Sequence, residues 1–194
     1  MTESTRAAQI LWQCRRHQSG HHDAFISYRV GSEASFAAAL APLIETVGLR
    51  RSNRLFRVFL DSKCLNDAED WKDGFLNGLQ GSKLIVYLIS EASLNTLIGK
   101  TMDSRDDNVL LEIEAGLQLA EEKKARIFPI VIGSTNSTGV YTTFDGSYFS
   151  PDKYPNINHG ASGKNVRSTM SQFFRIQGSR VEYSPSSQGT LCAA

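Results

Sequence analysis

A run of six apolar residues at 84–89 constrains the fold more than any other part of this 194-residue chain. The run has no alternating polar positions, which is typical of a strand that is buried on both faces of a parallel sheet. Three more segments have the length and composition of strands, at 23–28, 55–60 and 127–132. Pro129, inside the last of them, favours an edge strand or a bulge.

Helical patterns separate these predicted strands. Pro42 predicts a kink in the first helix, and Gly48 suits the position just after its end. We expect a polar connection without a helix between Ser90 and Asp107, and Asp106 and Asp107 are candidate N-caps for the helix that follows. Four segments are predicted to be helices: 33–47, 71–79, 110–120 and 166–177. Strands that alternate with helices predict an α/β domain, with a parallel sheet covered on both sides.

The length fits one domain, which we place at 22–183 between an N-terminal flank at 1–21 and a flexible tail at 184–194. A net charge of +1 argues against nucleic-acid binding, which usually needs a basic surface stripe. No apolar run approaches the roughly 20 residues of a membrane span.

The three cysteines and the histidine-rich flank bear on metal binding. Cys14, Cys64 and Cys192 are odd in number and have unrelated spacings, so the sequence suggests neither a disulfide framework nor a metal site, and a reducing cytoplasm fits best. The flank contains a group of basic residues that offers a metal or phosphate site as an alternative: Arg15, Arg16, His17, His21 and His22. We predict a solvated flank and no metal, because no carboxylate or cysteine accompanies these residues at ligand spacing.

Ligands of an open parallel sheet bind beyond the carboxyl ends of its strands. Tyr28 and Arg29 follow the first predicted strand, Asp61 follows the second and Ser90 follows the third. Glu112 lies in the second turn of a helix that opens on the same edge. This combination suits a polar ligand with a planar base and sugar hydroxyls, but it equally suits the ordinary polar rim of such a fold.

Several familiar nucleotide and hydrolase motifs are absent from the sequence. No G-x-G-x-x-G follows the first strand, which argues against a dinucleotide-dependent dehydrogenase. The G-K-T at 99–101 lacks the upstream glycine of a P-loop, since Leu94 stands in its place. No G-x-S-x-G nucleophile elbow occurs either.

Four separate boxes resemble those of Toll/interleukin receptor (TIR) domains. The sequence D-A-F-I-S-Y-R at 23–29 resembles the opening box of that family. F-L-D at 59–61, with C-L at 64–65 and E-D-W at 69–71, resembles its second strand and BB loop. Residues 82–90 and 128–130 are similar to its third and fourth strands. The resemblance implies a flavodoxin-like three-layer sandwich around a parallel sheet of about five strands.

The resemblance also implies one of two functions. Some TIR domains are non-catalytic adaptors that assemble with other TIR domains through the BB loop. Others cleave NAD+ between nicotinamide and ribose and carry a glutamate in a W-x-x-x-E pattern after the third strand. Glu112 matches this glutamate, whereas Asn108 stands where the tryptophan is usual. We expect the enzymatic function, with NAD+ as substrate, no other cofactor, and a homo-oligomeric assembly in the cytoplasm; the adaptor function stays open.

If the protein cleaves NAD+, an ionised Glu112 would stabilise positive charge on the ribose in the transition state. Arg29 would hold phosphate oxygens, and Trp71 would stack on a base or serve as a core anchor. The remaining residues that the resemblance places around the ligand are Tyr28, Asp61, Cys64, Leu65, Ser90 and Asn108.

Overall fold

The computed structural model describes residues 14–65, 71–135, 141–142, 144–159 and 163–182. Its centre is a sheet of five parallel strands in the order β2-β1-β3-β4-β6, and a two-residue strand, β5, pairs antiparallel with the end of β4. The strands are β1 (His22–Ser27), β2 (Val58–Phe59), β3 (Ser82–Ile89), β4 (Arg126–Thr135), β5 (Tyr141–Thr142) and β6 (Ser179–Glu182). The parallel sheet and its flavodoxin-like order confirm the predicted fold class.

Helices cover both faces of the sheet. They are α1 (Val30–Ser52), α2 (Asp61–Cys64), α3 (Trp71–Gln80), α4 (Glu91–Ile98), α5 (Asn108–Glu121) and α6 (Val166–Phe173), and 3-10 turns lie at Gly146–Phe149 and Pro151–Lys153. No helix within the described ranges combines the length and the apolar character that a bilayer span requires.

Strand β3 divides the hydrophobic core into two parts. Ile85, Tyr87 and Ile89 pack in the larger core, together with residues of α3, α4, α5 and α6. Val86 and Leu88 point to the other face, where they pack in the core that α1 covers. All five side chains are at most 5% exposed, as the unbroken apolar run predicts for a strand buried on both faces.

Both prolines lie inside regular elements of the structure. The helix α1 continues through Pro42 and past Gly48, and it ends before Asn53, which adopts the left-handed conformation with φ 56°. Ala41, beside the proline, is fully buried, and tertiary packing of this kind outweighs local propensity. Pro129 pairs with Tyr87 in an interior strand, one residue before the first β4–β6 pair, and not at the predicted edge or bulge.

The segment between β3 and α5 contains a helix that the sequence analysis missed. Ser90 caps α4 by accepting a hydrogen bond from the Ser93 N–H at 3.1 Å, and the Ser93 hydroxyl accepts one from the Ser90 N–H at 3.0 Å. This reciprocal pair is a capping box with serine at both positions. The predicted N-cap Asp107 is confirmed for α5.

Part of the predicted flank belongs to the folded body of the protein. Cys14 is 1% exposed, and the Arg15 N–H donates to the Cys64 carbonyl at 3.0 Å. Of residues 14–21, Cys14 is buried, whereas Arg15, Arg16, Gln18 and His21 are exposed, so the prediction of a solvated flank fails at Cys14. Residues 1–13 and the predicted tail at 184–194 lie outside the described residues.

Helix α5 approaches the sheet closely because Gly116 has no side chain. A Cβ at this position would lie 2.1 Å from the Tyr87 hydroxyl oxygen. That hydroxyl donates a hydrogen bond to the Glu112 carbonyl at 2.5 Å, so it is held in place from the same helix. The contact between Gly116 and Tyr87 therefore sets the distance of α5 from β3.

We predict that Gly116→Ala lowers the free energy of unfolding by about 1–3 kcal/mol, the usual cost of overpacking a core. Gly31→Ala is the matched control, since nothing lies within 4 Å of a Cβ at Gly31. Urea unfolding of both variants measures the difference. In a Tyr87→Phe background, Gly116→Ala should lower the free energy of unfolding by less, because the hydroxyl that the new methyl group would contact is gone. An equal loss in both backgrounds would contradict the role that we give to the Gly116–Tyr87 contact.

Candidate functional site

The polar groups at the carboxyl ends of the parallel strands meet at one edge of the sheet. Tyr28 and Arg29 follow β1, Asp61 begins α2 just after β2, and Ser90 follows β3. The amino end of α5, which carries Glu112, opens on the same edge. The topology thus brings together groups that lie up to 84 residues apart in the sequence, as the sheet-edge argument predicts.

Tyr28 and Asp61 form a pair. The Tyr28 hydroxyl donates a hydrogen bond to Asp61 Oδ1, which also accepts from the Ser62 N–H at 2.5 Å. Burial and the neighbouring Asp61 carboxylate raise the pKa of Tyr28, so its phenol stays protonated and remains a donor. The pair links the end of β1 to the start of α2.

Arg29 is held by the cap of α5. Its Nη2 lies 3.0 Å from both carboxylate oxygens of Asp107, and Lys100 Nζ lies 3.3 Å from Asp107 Oδ2. Asp107, which is 4% exposed, also accepts the Leu110 N–H at 3.1 Å. Two cations and an N–H donor therefore balance this buried carboxylate, and the Arg29 guanidinium is already engaged.

The sequence analysis missed Glu33, a buried carboxylate in the first turn of α1. Its Oε2 accepts the Arg29 N–H at 2.6 Å, and its Oε1 accepts hydroxyl hydrogen bonds from Ser32, at 2.5 Å, and Ser90. An acidic residue in the first turn of a helix is a common signal, because it favours the positive end of the helix dipole. Ser90 therefore binds Glu33 and caps α4, and its hydroxyl is not directed at a ligand.

Glu112 is the carboxyl of this edge that is least compensated. It is 9% exposed, and among the described residues its Oε2 has no hydrogen-bond partner. Burial raises the pKa of Glu112 to about 8; the Ser27 hydroxyl and Arg29 oppose this rise, whereas the Asp61 and Asp107 carboxylates add to it. This raised pKa favours the neutral form of the side chain in the free protein near pH 7, and the ionised form that we expect in the transition state stays a prediction.

The other residues predicted to surround the ligand have different positions. Asn108 is the first residue of α5, one turn before Glu112, and it is exposed. Trp71 begins α3, but its side chain lies outside the described part of the structure. Leu65 is half-buried against the larger core. Cys64 is 0% exposed, and its predicted contact with the ligand stays a prediction.

Two cavities lie away from this edge cluster. One of about 610 Å³ is bounded by β4, β6 and the end of α6, and one of about 590 Å³ lies between α5 and α6. Glu112 lines neither of them.

Comparisons with known proteins support the fold. The sequence matches no protein-family model, and no curated protein matches it. Two structures of a metazoan TIR-STING receptor from C. gigas, one in complex with 2',3'-cGAMP, align at 16% and 18% identity with TM-scores of 0.44 and 0.43. Each alignment covers 79% of this chain, and the two cover 40% and 41% of the receptor chains.

A stronger likeness is to the TIR domains in the structure of the activated Roq1 resistosome. That resistosome directly recognises the pathogen effector XopQ. The alignment covers 82% of this chain and 87% of that one, with 12% identity and a TM-score of 0.52. Similarity at this identity concerns the backbone arrangement. Together with the strand order, it shows that this chain has the fold of a TIR domain.

Proposed function

We propose that this protein is a TIR-type NAD+ glycohydrolase that cleaves the nicotinamide–ribose bond and yields nicotinamide and ADP-ribose, in linear or cyclic form. The observation that carries the proposal is Glu112: a buried carboxyl with an unpartnered Oε2 on the ligand-binding edge of a TIR fold. A titratable group with a strongly shifted pKa at such an edge is typical of catalytic sites. NAD+ is the substrate in this proposal, and no other cofactor is needed.

The chemistry requires one carboxylate. Nicotinamide leaves as a neutral molecule from a cationic pyridinium, and the ribose passes through an oxocarbenium-like state. An ionised Glu112 would stabilise that positive charge and accept a hydrogen bond from a ribose hydroxyl. The bound pyridinium cation itself favours the ionised form of a nearby carboxyl group, so binding would draw the proton off Glu112.

Several polar side chains lie around the Glu112 carboxyl group. The Ser27 hydroxyl is near enough to lower its pKa, and the Tyr28–Asp61 pair supplies polar atoms for ribose hydroxyls. Arg29 would contact the phosphates only through the part of its guanidinium that Asp107 leaves open. We therefore assign Arg29 mainly to positioning α5 and Glu112.

Assembly without catalysis is the second candidate function. Asn108 replaces the usual tryptophan, which weakens one wall of the proposed pocket. Leu43 and Val47 are 47% and 45% exposed at i and i+4 on α1, where an apolar surface suits contact with another copy. The BB loop, through which such contact was expected, includes residues 66–70, which lie outside the described residues. Homo-oligomerisation and a cytoplasmic setting remain predictions for both candidates.

We predict that Glu112→Gln lowers the rate of nicotinamide release from NAD+ by about 100-fold or more, because the developing charge loses its carboxylate. Glu121→Gln, an exposed position on the same helix, is the matched control and should keep the wild-type rate. The measurement is chromatographic detection of nicotinamide at high protein concentration. If the concentrated, folded wild type releases none, the protein is an assembly module instead.

We predict that kcat/KM rises with pH up to about 8, because the free protein must lose the Glu112 proton before it can stabilise the cation. Initial rates across buffers of constant ionic strength give the profile. Any residual activity of Glu112→Gln should lack this rise. A wild-type kcat/KM that stays level or falls over the same range would mean that a neutral Glu112 acts in catalysis.

We predict a pH-dependent stability difference that involves no substrate. The pKa of Glu112 rises from 4.5 to about 8 on folding, so its contribution to stability is complete below 4.5 and is lost as the pH rises through 8. Glutamine cannot titrate. The free energy of unfolding of Glu112→Gln should therefore rise relative to that of the wild type by roughly 1 kcal/mol per pH unit between these limits. Urea unfolding at several pH values tests this, and parallel curves would show that Glu112 is solvated.

A further inference from the structure

A cluster of two cysteines and two histidines lies on the amino-terminal side of the sheet, apart from the candidate site. It consists of Cys14, His17, His22 and Cys64, whose potential ligand atoms all lie within 4.8 Å of one another. Three of these residues are buried, with exposures of 1% for Cys14, 2% for His22 and 0% for Cys64, and His17 is half-buried. Both cysteines are free. We propose that this cluster is a structural zinc site.

The donor set and its geometry match zinc. Two thiolates and two imidazoles form one of the common structural sites, with Zn–S near 2.3 Å and Zn–N near 2.0–2.1 Å. Tetrahedral geometry with those bond lengths puts neighbouring sulfur and nitrogen atoms about 3.6 Å apart. The His17 Nδ1 atom lies 3.3 Å from Cys14 Sγ and 3.8 Å from Cys64 Sγ. The sulfur–nitrogen distances therefore already bracket the value that a bound ion requires.

Backbone donors point at both sulfurs. The His17 N–H donates to Cys14 Sγ at 3.3 Å, and the Leu60 N–H donates to Cys64 Sγ at 3.4 Å. Such bonds stabilise negative charge on sulfur and belong to the outer shell that orients metal ligands. The Cys64 thiol donates to the Val58 carbonyl at 3.7 Å, and a bound zinc ion would take the place of that proton.

The charge balance also favours a divalent ion. Two thiolates neutralise Zn²⁺, so the loaded site carries no net charge and is inexpensive to bury. The nearest cations are engaged elsewhere: Arg16 pairs with Glu45 at 2.6 Å, and Arg57 donates to Ser19 Oγ at 2.9 Å.

The ligands come from three parts of the fold. Cys14 and His17 share one turn ahead of the sheet, His22 begins β1, and Cys64 ends α2. An ion bound by all four would fasten the amino-terminal segment to α2, and the other end of α2 is Asp61 of the candidate site. With four protein ligands the coordination is complete, which is the pattern of a structural centre and leaves no position for substrate.

The test starts from the full chain, purified under reducing conditions without chelators. We expect one zinc per chain by elemental analysis, a loss of roughly 10 °C in Tm when a chelator removes it, and recovery when zinc is added back. Cobalt in place of zinc should give the visible bands of a tetrahedral ion together with thiolate charge transfer in the near ultraviolet. Folded, reduced protein with neither zinc nor this cobalt spectrum would overturn the proposal.

Substitutions distinguish zinc binding at this cluster from incidental zinc binding elsewhere on the protein. His17→Ala, Cys14→Ser and Cys64→Ser should each weaken zinc binding by more than about 100-fold, the upper end of the cost of losing an outer-shell partner. His21→Ala removes a histidine of the same segment that lies outside the cluster, and it should bind zinc as the wild type does. If substitution of a buried cysteine prevents folding, zinc binding by the His17→Ala variant, at a half-buried position, and the cobalt spectrum of the wild type still test the zinc site.

A redox pair is the competing account of these cysteines. Mass spectrometry of the freshly isolated chain, alkylated before any reductant is added, distinguishes the two. Zinc ligation predicts that Cys14 and Cys64 are protected from alkylation until a chelator is added, and that both then react as free thiols. A Cys14–Cys64 disulfide in the isolated protein would refute the zinc site.

Discussion

The burial of β3 on both faces is the constraint on which the rest of this structure depends. A strand with apolar side chains on both sides needs helices on both sides, and the right-handed crossovers that provide them make the sheet parallel. In a parallel sheet every strand ends at the same edge, so the polar residues that stop the apolar runs collect there. The site at this edge is thus a consequence of how the core is covered.

The carboxyl groups at that edge differ in how they are compensated. Asp107 is balanced by Arg29 and Lys100, and Glu33 by hydroxyl and backbone donors. Glu112 has the Ser27 hydroxyl near it and two carboxylates close enough to oppose its ionisation. Burial, the main cause, and these two carboxylates raise its pKa, whereas Asp107 and Glu33 are held by their hydrogen-bond partners. A cationic ligand would supply the charge that the protein leaves out.

The short helix α2 connects the two sites that we propose. Its first residue, Asp61, accepts the Tyr28 hydroxyl at the carboxyl edge, and its last residue, Cys64, lies in the cysteine–histidine cluster. The residues that follow continue toward 66–70, where the BB loop is expected from the sequence. An ion in the cluster would therefore hold one end of α2 while the candidate site uses the other, and the two sites would share a rigid element.

The sequence by itself determined the α/β class and the parallel sheet, and it predicted that polar groups, Glu112 among them, meet at the carboxyl edge, because strand burial, helical periodicity and family boxes are all local patterns. Only the tertiary structure decided what those residues do to one another. The raised pKa of Glu112 depends on burial and on Asp61 and Asp107, and the hydrogen bond of Ser90 to Glu33 and the burial of Cys64 depend on partners far away in the chain. The cysteine–histidine cluster was invisible for the same reason: Cys64 joins Cys14, His17 and His22 only through the fold, and spacing along the chain carries no information about that contact.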